Sequence, residues 1–377
     1  MVDVLVIGGG PVGLFMAALL LQQGVSVRIL EQRTGAEPHS RAIGIHPPSL
    51  DALGGIGVAS ALVAEGVPIR RGLAVGGGRT LAEMSFAGVS DRYPFVLALP
   101  QSRTEAFLEQ RVRQLDPAAL HRGVRVTRLH DDGGRVTAEA TAGGSAVRYT
   151  AAIAIAADGV RSIVRSQLGT PVRSKDYRDS YLMGDFADTT GFGPDAALFL
   201  EPGGIVESFP LPGKLRRWVV RLAEPGYGGD ARWLAQKIRD RTGIDVDPAS
   251  NTMLSSFGVR SRLARKMVTG RTVLIGDAAH EISPIGGQGM NLGWLDAVAL
   301  APVIAASLHG AHVGVELRNF EASRKAAAAR AARQSEINMA LGRPLPAGPW
   351  AVRNCAIAAA GSVPAFNGFV ARRFTMQ

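Results

Sequence analysis

Apolar residues at Val2, Val4, Leu5, Val6 and Ile7 make a short run rich in β-branched side chains, the pattern of a strand buried on both faces. The pattern then breaks at GGGPVG and resumes as an apolar helical stretch over 12–23. A second strand over 26–30 ends at Glu31. Pro47 and Pro48 open a short helix over 49–53. Residues 75–86 and 95–99 read as strand, and PQSRTEAFLEQRV as a helix whose apolar face carries Phe107, Leu108 and Val112. Short strands follow at 124–129, 135–140 and 146–149, with DDGG at 131–134 as a hairpin turn. A second buried strand begins at Ala151 and stops at Asp158-Gly159. From 175 to 260 the texture becomes alternating, as in SYLMGDFAD, AALFLEPGG, IVESFPLPG and RRWVVRLAE, which predicts antiparallel strands broken by one helix over 231–242. A third buried strand, 272–275, leads through a glycine-rich loop into a helix over 289–308.

This order predicts an α/β protein with a discontinuous first domain, residues 1–174 and 261–340, built on a parallel sheet. Residues 175–260 form an inserted, mainly antiparallel β-sheet domain able to cover a ligand from one side. Residues 341–377 form a helical cap. The tail has a basic helix with Arg324, Lys325, Arg330 and Arg333, then apolar residues including Trp350, Ile357, Phe366 and Phe369. These apolar positions do not make one long amphipathic face, so a cap is favoured over a membrane-surface helix, with peripheral membrane contact left open.

Candidate chemistry collects where each buried strand ends. Gly8, Gly10 and Gly13 stand in GxGxxG spacing: the first permits a sharp turn, the second lets backbone N–H groups approach a pyrophosphate, and the third lets the helix pack on the sheet. Glu31 lies roughly 20 residues on, where an acid can accept hydrogen bonds from a ribose. Arg33 beside it could by itself meet a 2′-phosphate. Arg41 is a candidate cation for a pyrophosphate, and Gln101 stands at a helix entrance with an amide to offer. Asp158 and Asp277 end the second and third buried strands at the carboxyl edge, where doubly wound sheets bind ligands. Glycines 286, 287 and 289 expose backbone N–H groups at the start of the last helix, whose positive end suits negative charge on a cofactor.

Composition removes several alternatives. The net charge of +10 comes mostly from scattered arginines, with aromatics at 6%, so base-stacking platforms and a nucleic-acid partner are not expected. Cys355 is the single cysteine, which fits a reducing cytoplasm. The seven histidines show no metal-ligand spacing, so no metal is expected. No apolar run approaches membrane-spanning length, so no integral membrane segment is expected.

Together, GGGPVG with Glu31, ADGVRS, and GDAAHEISPIGGQGMNLGWLDA resemble the group A flavoprotein monooxygenases of the p-hydroxybenzoate hydroxylase type. The resemblance spans nearly the whole chain in the right order. It implies a Rossmann-like FAD-binding domain, a β-sheet substrate domain, NADPH or NADH as reductant, and O₂ forming a flavin hydroperoxide that hydroxylates an aromatic or polyketide-like small molecule, in secondary metabolism or aromatic catabolism. Carried over residue by residue, it assigns FAD contacts to Gly8, Gly10, Pro11, Val12, Gly13, Glu31, Gln32, Arg33, Arg41, Gln101, Asp158, Gly276, Asp277, Pro284, Gly287, Gly289, Met290 and Asn291. The substrate pocket is expected along the strands of the second domain, with Phe209, Pro210 and Pro284 as candidates. The flavin carries the chemistry, so no side chain is assigned a catalytic role. A non-oxygenating FAD oxidoreductase, such as a prenyl-chain reductase or dehydrogenase, and a ubiquinone-pathway-like hydroxylase are the alternatives.

Overall fold

The computed structural model describes residues 1–35, 42–223 and 229–376. Its first sheet places Val2–Ile7 centrally, parallel to Ser145–Ala156 on one side and Val27–Glu31 on the other. Thr272–Leu274 and Leu120–Arg122 extend the parallel set outward, and Val268–Thr269 closes one edge antiparallel. Register is fixed by burial: Val4 sits opposite both Val27 and Ile153, and all three are buried. The strands expected separately at 146–149 and from 151 are one continuous strand, Ser145–Ala156. Its first half pairs with the hairpin Val124–Asp131 and Val136–Ala142, and its second half enters the parallel sheet.

Helix Pro11–Gln22 packs between this sheet and helices Gln101–Leu115 and Gln288–Leu308. Its apolar residues are buried nearly all round, from Leu14 to Ala18 and at Leu20. Helix Gln288–Leu308 is long and apolar enough to cross a membrane by length and composition, contrary to the reading that no run approaches that length. Half of its apolar window is buried within the fold, and Asn291 and Asp296 are fully buried on it in polar contacts, so it serves here as a core helix.

The second sheet runs His280–Glu281, Met253–Ala264, Val172–Ala187, Leu215–Arg221, Val206–Leu211, Ala196–Phe199, Arg71–Gly76 and Arg79–Ser85. All pairs are antiparallel except Ala196–Phe199 with Arg71–Gly76. Residues 71–85, grouped by sequence with the first domain, therefore pair into the second sheet. Nothing local announces this, because the partner strand lies far along the chain. Helix Ala231–Thr242 seals one face of the sheet, capped by the Asp230 carboxylate, which accepts from Trp233 N–H at 2.8 Å, and ended by Gly243 at φ 73°. Leu234 and Ile238 on it meet Phe186, Val206 and Trp218. The opposite face carries Tyr181, Met183, Val219, Met253 and Phe257 and packs against Ile285 and Met339. Helices Ala347–Gly361 and Pro364–Phe374 lie over strand Arg79–Ser85. Ile357 joins the same cluster as Leu81 and Ala74.

Candidate functional site

The three glycines of the first turn are required for three different reasons. Gly8 has φ +104°, and a Cβ there would lie 2.3 Å from the Ala157 carbonyl oxygen. At Gly13 a Cβ would lie 2.0 Å from the Gly8 oxygen, so this glycine sets the approach of helix to strand. At Gly10, the N-cap of helix Pro11–Gln22, a Cβ would meet no atom of the described residues within 4 Å beyond its chain neighbours, leaving an open cradle over the helix N-terminus. Pro11 sits at the first helical position, where its missing N–H costs nothing, and its carbonyl accepts from Trp294 Nε1 at 3.1 Å.

Glu31 is buried at the end of its strand, where its carboxylate accepts from Gly9 N–H at 2.6 Å, Arg33 N–H at 2.8 Å and Arg33 Nε at 3.0 Å. Burial pushes the carboxyl up. The Arg33 bonds and charge, with the Gly9 N–H, more than offset it, so Glu31 stays below the usual carboxylate range. Arg33 also faces Glu105, Nη1 to Oε2 at 3.6 Å, and Gln101 donates to the same carboxyl at 2.7 Å. Arg33 thus braces two carboxyls. Gln32 is exposed. Arg41 lies outside the described residues.

At the second strand end, the Asp158 carboxylate accepts from Val164 N–H at 3.3 Å, while its Oδ1 is buried without a partner among the described residues. Burial raises its pKa above that of an ordinary aspartate. Ser162 caps the short helix Ile163–Gln167 by accepting from Arg165 N–H at 3.0 Å. Arg165 donates to Ala278 O at 2.9 Å and Val160 O at 2.8 Å, stapling the second strand end to the third. Nothing in the sequence joins these positions; only the fold brings residues 165 and 278 together.

At the third end, Gly276 turns with φ +58° and its N–H donates to Asp296 Oδ2 at 3.0 Å. His280 Nε2 meets the same oxygen at 2.6 Å, and Arg324 Nε donates to Oδ1 at 2.7 Å. Burial opposes charge on His280, but the Asp296 carboxylate outweighs it and raises the imidazole pKa. Burial likewise pushes Asp296 up, and His280 with Arg324 hold it low. His280, which has no visible partner in the sequence, thus has one in the fold, and Arg324 of the expected basic helix turns inward. Asp277 keeps part of its surface exposed beside Gly289, whose Cβ would lie 3.9 Å from Oδ1, and burial raises its carboxyl.

Gly286 and Gly287 adopt φ +99° and +65°, and Gly287 caps helix Gln288–Leu308. A Cβ at Gly276 would lie 3.2 Å from Val12, and one at Gly293 would lie 2.4 Å from it, so Val12 wedges the first helix against the last. Asn291 is fully buried: its amide donates to Gly44 O at 3.0 Å and Gly287 O at 2.7 Å, and its oxygen accepts from His46 N–H at 2.9 Å. Its side chain therefore holds the loop at 44–46 to the helix. Met290 is half-buried and Pro284 exposed. His46 stacks on Phe374 at 5.5 Å, and burial drops its pKa to about 4, which leaves it neutral at neutral pH.

Phe209 is half-buried between two apolar clusters, one of them containing Ile285 from the glycine loop, and Pro210 is buried. The fold thus sets Phe209 and the Pro284 loop on the same side of the second sheet. The open cradle at Gly10, the orphaned Asp158 oxygen and the accessible edge of Asp277 border the carboxyl edge of one parallel sheet, and this donor and acceptor set fits an extended dinucleotide such as FAD.

Residues 1–335 match the family model described as an FAD binding domain. The chain is 34% identical over 335 residues to 6-methylpretetramide 4-monooxygenase of Streptomyces rimosus, covering 86% of this chain and 59% of that protein. It is 30% identical over 326 residues to para-nitrophenol 4-monooxygenase of Pseudomonas sp. strain WBC-3, covering 80% and 77%. The crystal structure of p-nitrophenol 4-monooxygenase from Pseudomonas putida DLL-E4 superposes with a TM-score of 0.91 at 25% identity, covering 100% of this chain and 98% of that one. The chain therefore belongs to the FAD-binding family of the flavin-dependent aromatic monooxygenases.

Proposed function

We propose that this protein is an FAD-dependent monooxygenase that uses NADPH or NADH and O₂ to hydroxylate an aromatic or polyketide-like small molecule. The observation that carries the reading is the convergence of three strand ends, at Gly8–Gly13, Asp158–Arg165 and Gly276–Asn291, at the carboxyl edge of one parallel sheet, with Ile285 of the third packed on the apolar face of the second sheet. The names of the relatives, a methylpretetramide and a nitrophenol monooxygenase, support the substrate class.

Bound FAD would supply hydride acceptance from the nicotinamide and activation of O₂. The chain's residues hold and shield it. The N–H groups at the start of helix Pro11–Gln22 would hold the pyrophosphate across the Gly10 cradle, Glu31 would take the ribose, and Asp158 and Asp277 would take hydroxyls or ring atoms along the cofactor. The start of helix Gln288–Leu308, freed of side chains by Gly287 and Gly289, presents N–H groups to negative charge. The apolar face around Tyr181, Met183 and Phe209 excludes water and aligns the ring to be attacked.

The test is purification, FAD reconstitution, and parallel measurement of NADPH or NADH oxidation, O₂ uptake and product mass against phenols and polycyclic aromatics. A product heavier by one oxygen, with reductant and O₂ consumed one to one, is the expected result. Reductant consumed with a reduced, oxygen-free product would overturn it in favour of a non-oxygenating oxidoreductase.

A further inference from the structure

On strand Val206–Leu211, Glu207 and Phe209 point to the sheet face opposite helix Ala231–Thr242. Val206 packs beneath that helix, and Ser208 on the same side bonds Arg216 at 3.1 Å. Glu207 is paired directly with Val219, and Val219 with Met183, both in the cluster that includes Ile285 of the glycine loop. Glu207 is 8% exposed and has no hydrogen-bond or ion-pair partner among the described residues. Burial alone pushes its carboxyl up to about 7. Tyr181, fully buried on the same face, has a hydroxyl that also lacks a partner.

The charged groups around them are committed elsewhere. Arg217 clamps Asp185 at 2.7 and 2.8 Å, and Arg221 and Arg343 close on Asp179 at 3.0 and 2.9 Å. A fully buried phenol left unsatisfied beside a nearly buried carboxyl that no described protein group bonds needs a reason, because buried polar groups are otherwise hydrogen-bonded.

We propose that Glu207, with Tyr181 beside it, forms the subsite for a substrate's phenolic or enolic hydroxyl, and that Glu207 takes that hydroxyl's proton. The inference rests on the hydroxylase reading above and extends it to the wall facing the cofactor loop. In the step, the substrate O–H bond breaks, its proton forms a new O–H bond on the Glu207 carboxylate, and the electron pair stays on the substrate oxygen. No oxidant is consumed. The phenolate so formed is more electron-rich at its ortho and para carbons, which suits attack by an electrophilic oxygen. A hydroxyl bound here also supplies the hydrogen bonds that Glu207 and Tyr181 lack. The proton-transfer partner works best when its own pKa lies near the operating pH, which a carboxyl in this setting satisfies.

The test uses FAD-loaded wild type and the variant Glu207→Gln, with 4-methylphenol and 2-naphthol as hydroxyl probes, whose own ionisation lies at about pH 9.5 or above, near the ordinary phenol value, and 4-methylanisole as the methyl ether control. Binding is read by difference spectroscopy from about pH 5 to about pH 9, a range that brackets the carboxyl. The expected result is at least one bound phenol in wild type, with affinity that changes through about pH 7. Glu207→Gln should weaken that phenol about tenfold, flatten the pH dependence and leave 4-methylanisole unchanged. Equal phenol affinity and an equal pH profile in the two proteins would overturn the role of Glu207 while leaving the hydroxylase reading standing. Failure of wild type to bind either phenol, with FAD in place, would overturn the proposal together with the substrate class.

Discussion

A carboxyl buried without a partner resists ionisation, and Glu207 should register this in stability as well as in binding. Its folded value of about 7 lies above its ordinary 4.5, so as pH rises the unfolded chain releases the proton first. The contribution is neutral below about pH 4.5, and stability is lost as pH climbs to about 7, by about 3 kcal/mol in all. Glu207→Gln, which cannot ionise, should therefore raise the melting temperature at about pH 8 and leave it unchanged at about pH 4. Thermal melts of the FAD-loaded pair at both pH values check this; an equal gain at both would mean that packing, not charge, sets the difference. Glu207 was not legible as a site in the sequence. The alternation in IVESFPLPG marks a strand, but only the pairing with Val219 says which face looks toward the cofactor loop. Phe209, two residues on and offered by the sequence as a pocket candidate, shares that face.

At the scale of the element, the strand–turn–helix units were readable because their causes are local. Gly8, Gly10 and Gly13, the β-branched strand before them and the acid after them lie within one short stretch. The link among His280, Asp296 and Arg324 was not, because its members stand 16 and 28 residues apart and are joined only when two helices and a turn pack. The structure also puts distances on the separate roles that the spacing gives these glycines. Gly13→Val would drive a side chain into the Gly8 oxygen, 2.0 Å from the Cβ position, and should cost several kcal/mol of stability, on the order of an overpacked core. A Cβ at Gly10 meets no atom of the described residues within 4 Å apart from its neighbours in the chain, so Gly10→Val should fold with a melting temperature close to wild type in the absence of added FAD. It should nevertheless bind FAD at least tenfold more weakly, a loss of about 1.4 kcal/mol. Melting curves with and without FAD, and flavin absorbance after gel filtration, separate the two. Similar loss of fold in both variants would remove the cradle assigned to Gly10.

Across the whole molecule, the layout of two sheets was legible from the change of texture near residue 175, but the crossing of residues 71–85 into the second sheet was not. That crossing matters because strand Arg79–Ser85 is the outer edge of the second sheet, and the C-terminal helices cover it. One carbonyl anchors the cover: Leu200 O accepts from Trp350 Nε1 at 2.7 Å, Arg353 Nη2 at 2.9 Å and Asn354 Nδ2 at 3.3 Å. Ile357 from the same helix then joins Ala74, Leu81 and Tyr181 in the apolar cluster on the face that carries Glu207. If this face excludes water from the reacting centre, loosening the anchor should damage coupling before it damages cofactor binding, because none of these residues lies at the three strand ends. Trp350→Ala should lower stability by about 2 kcal/mol, below the figure for a fully buried tryptophan since this ring is only half-buried. It should retain its full complement of FAD. With a bound aromatic substrate, the fraction of consumed O₂ released as hydrogen peroxide should rise several-fold, as expected when water reaches a reactive site. The check is flavin content alongside peroxide yield per reductant consumed: flavin lost in step with stability would make the cover a scaffold for the cofactor domain, whereas retained flavin with unchanged peroxide yield would make it a brace for the sheet edge that leaves the reacting face dry.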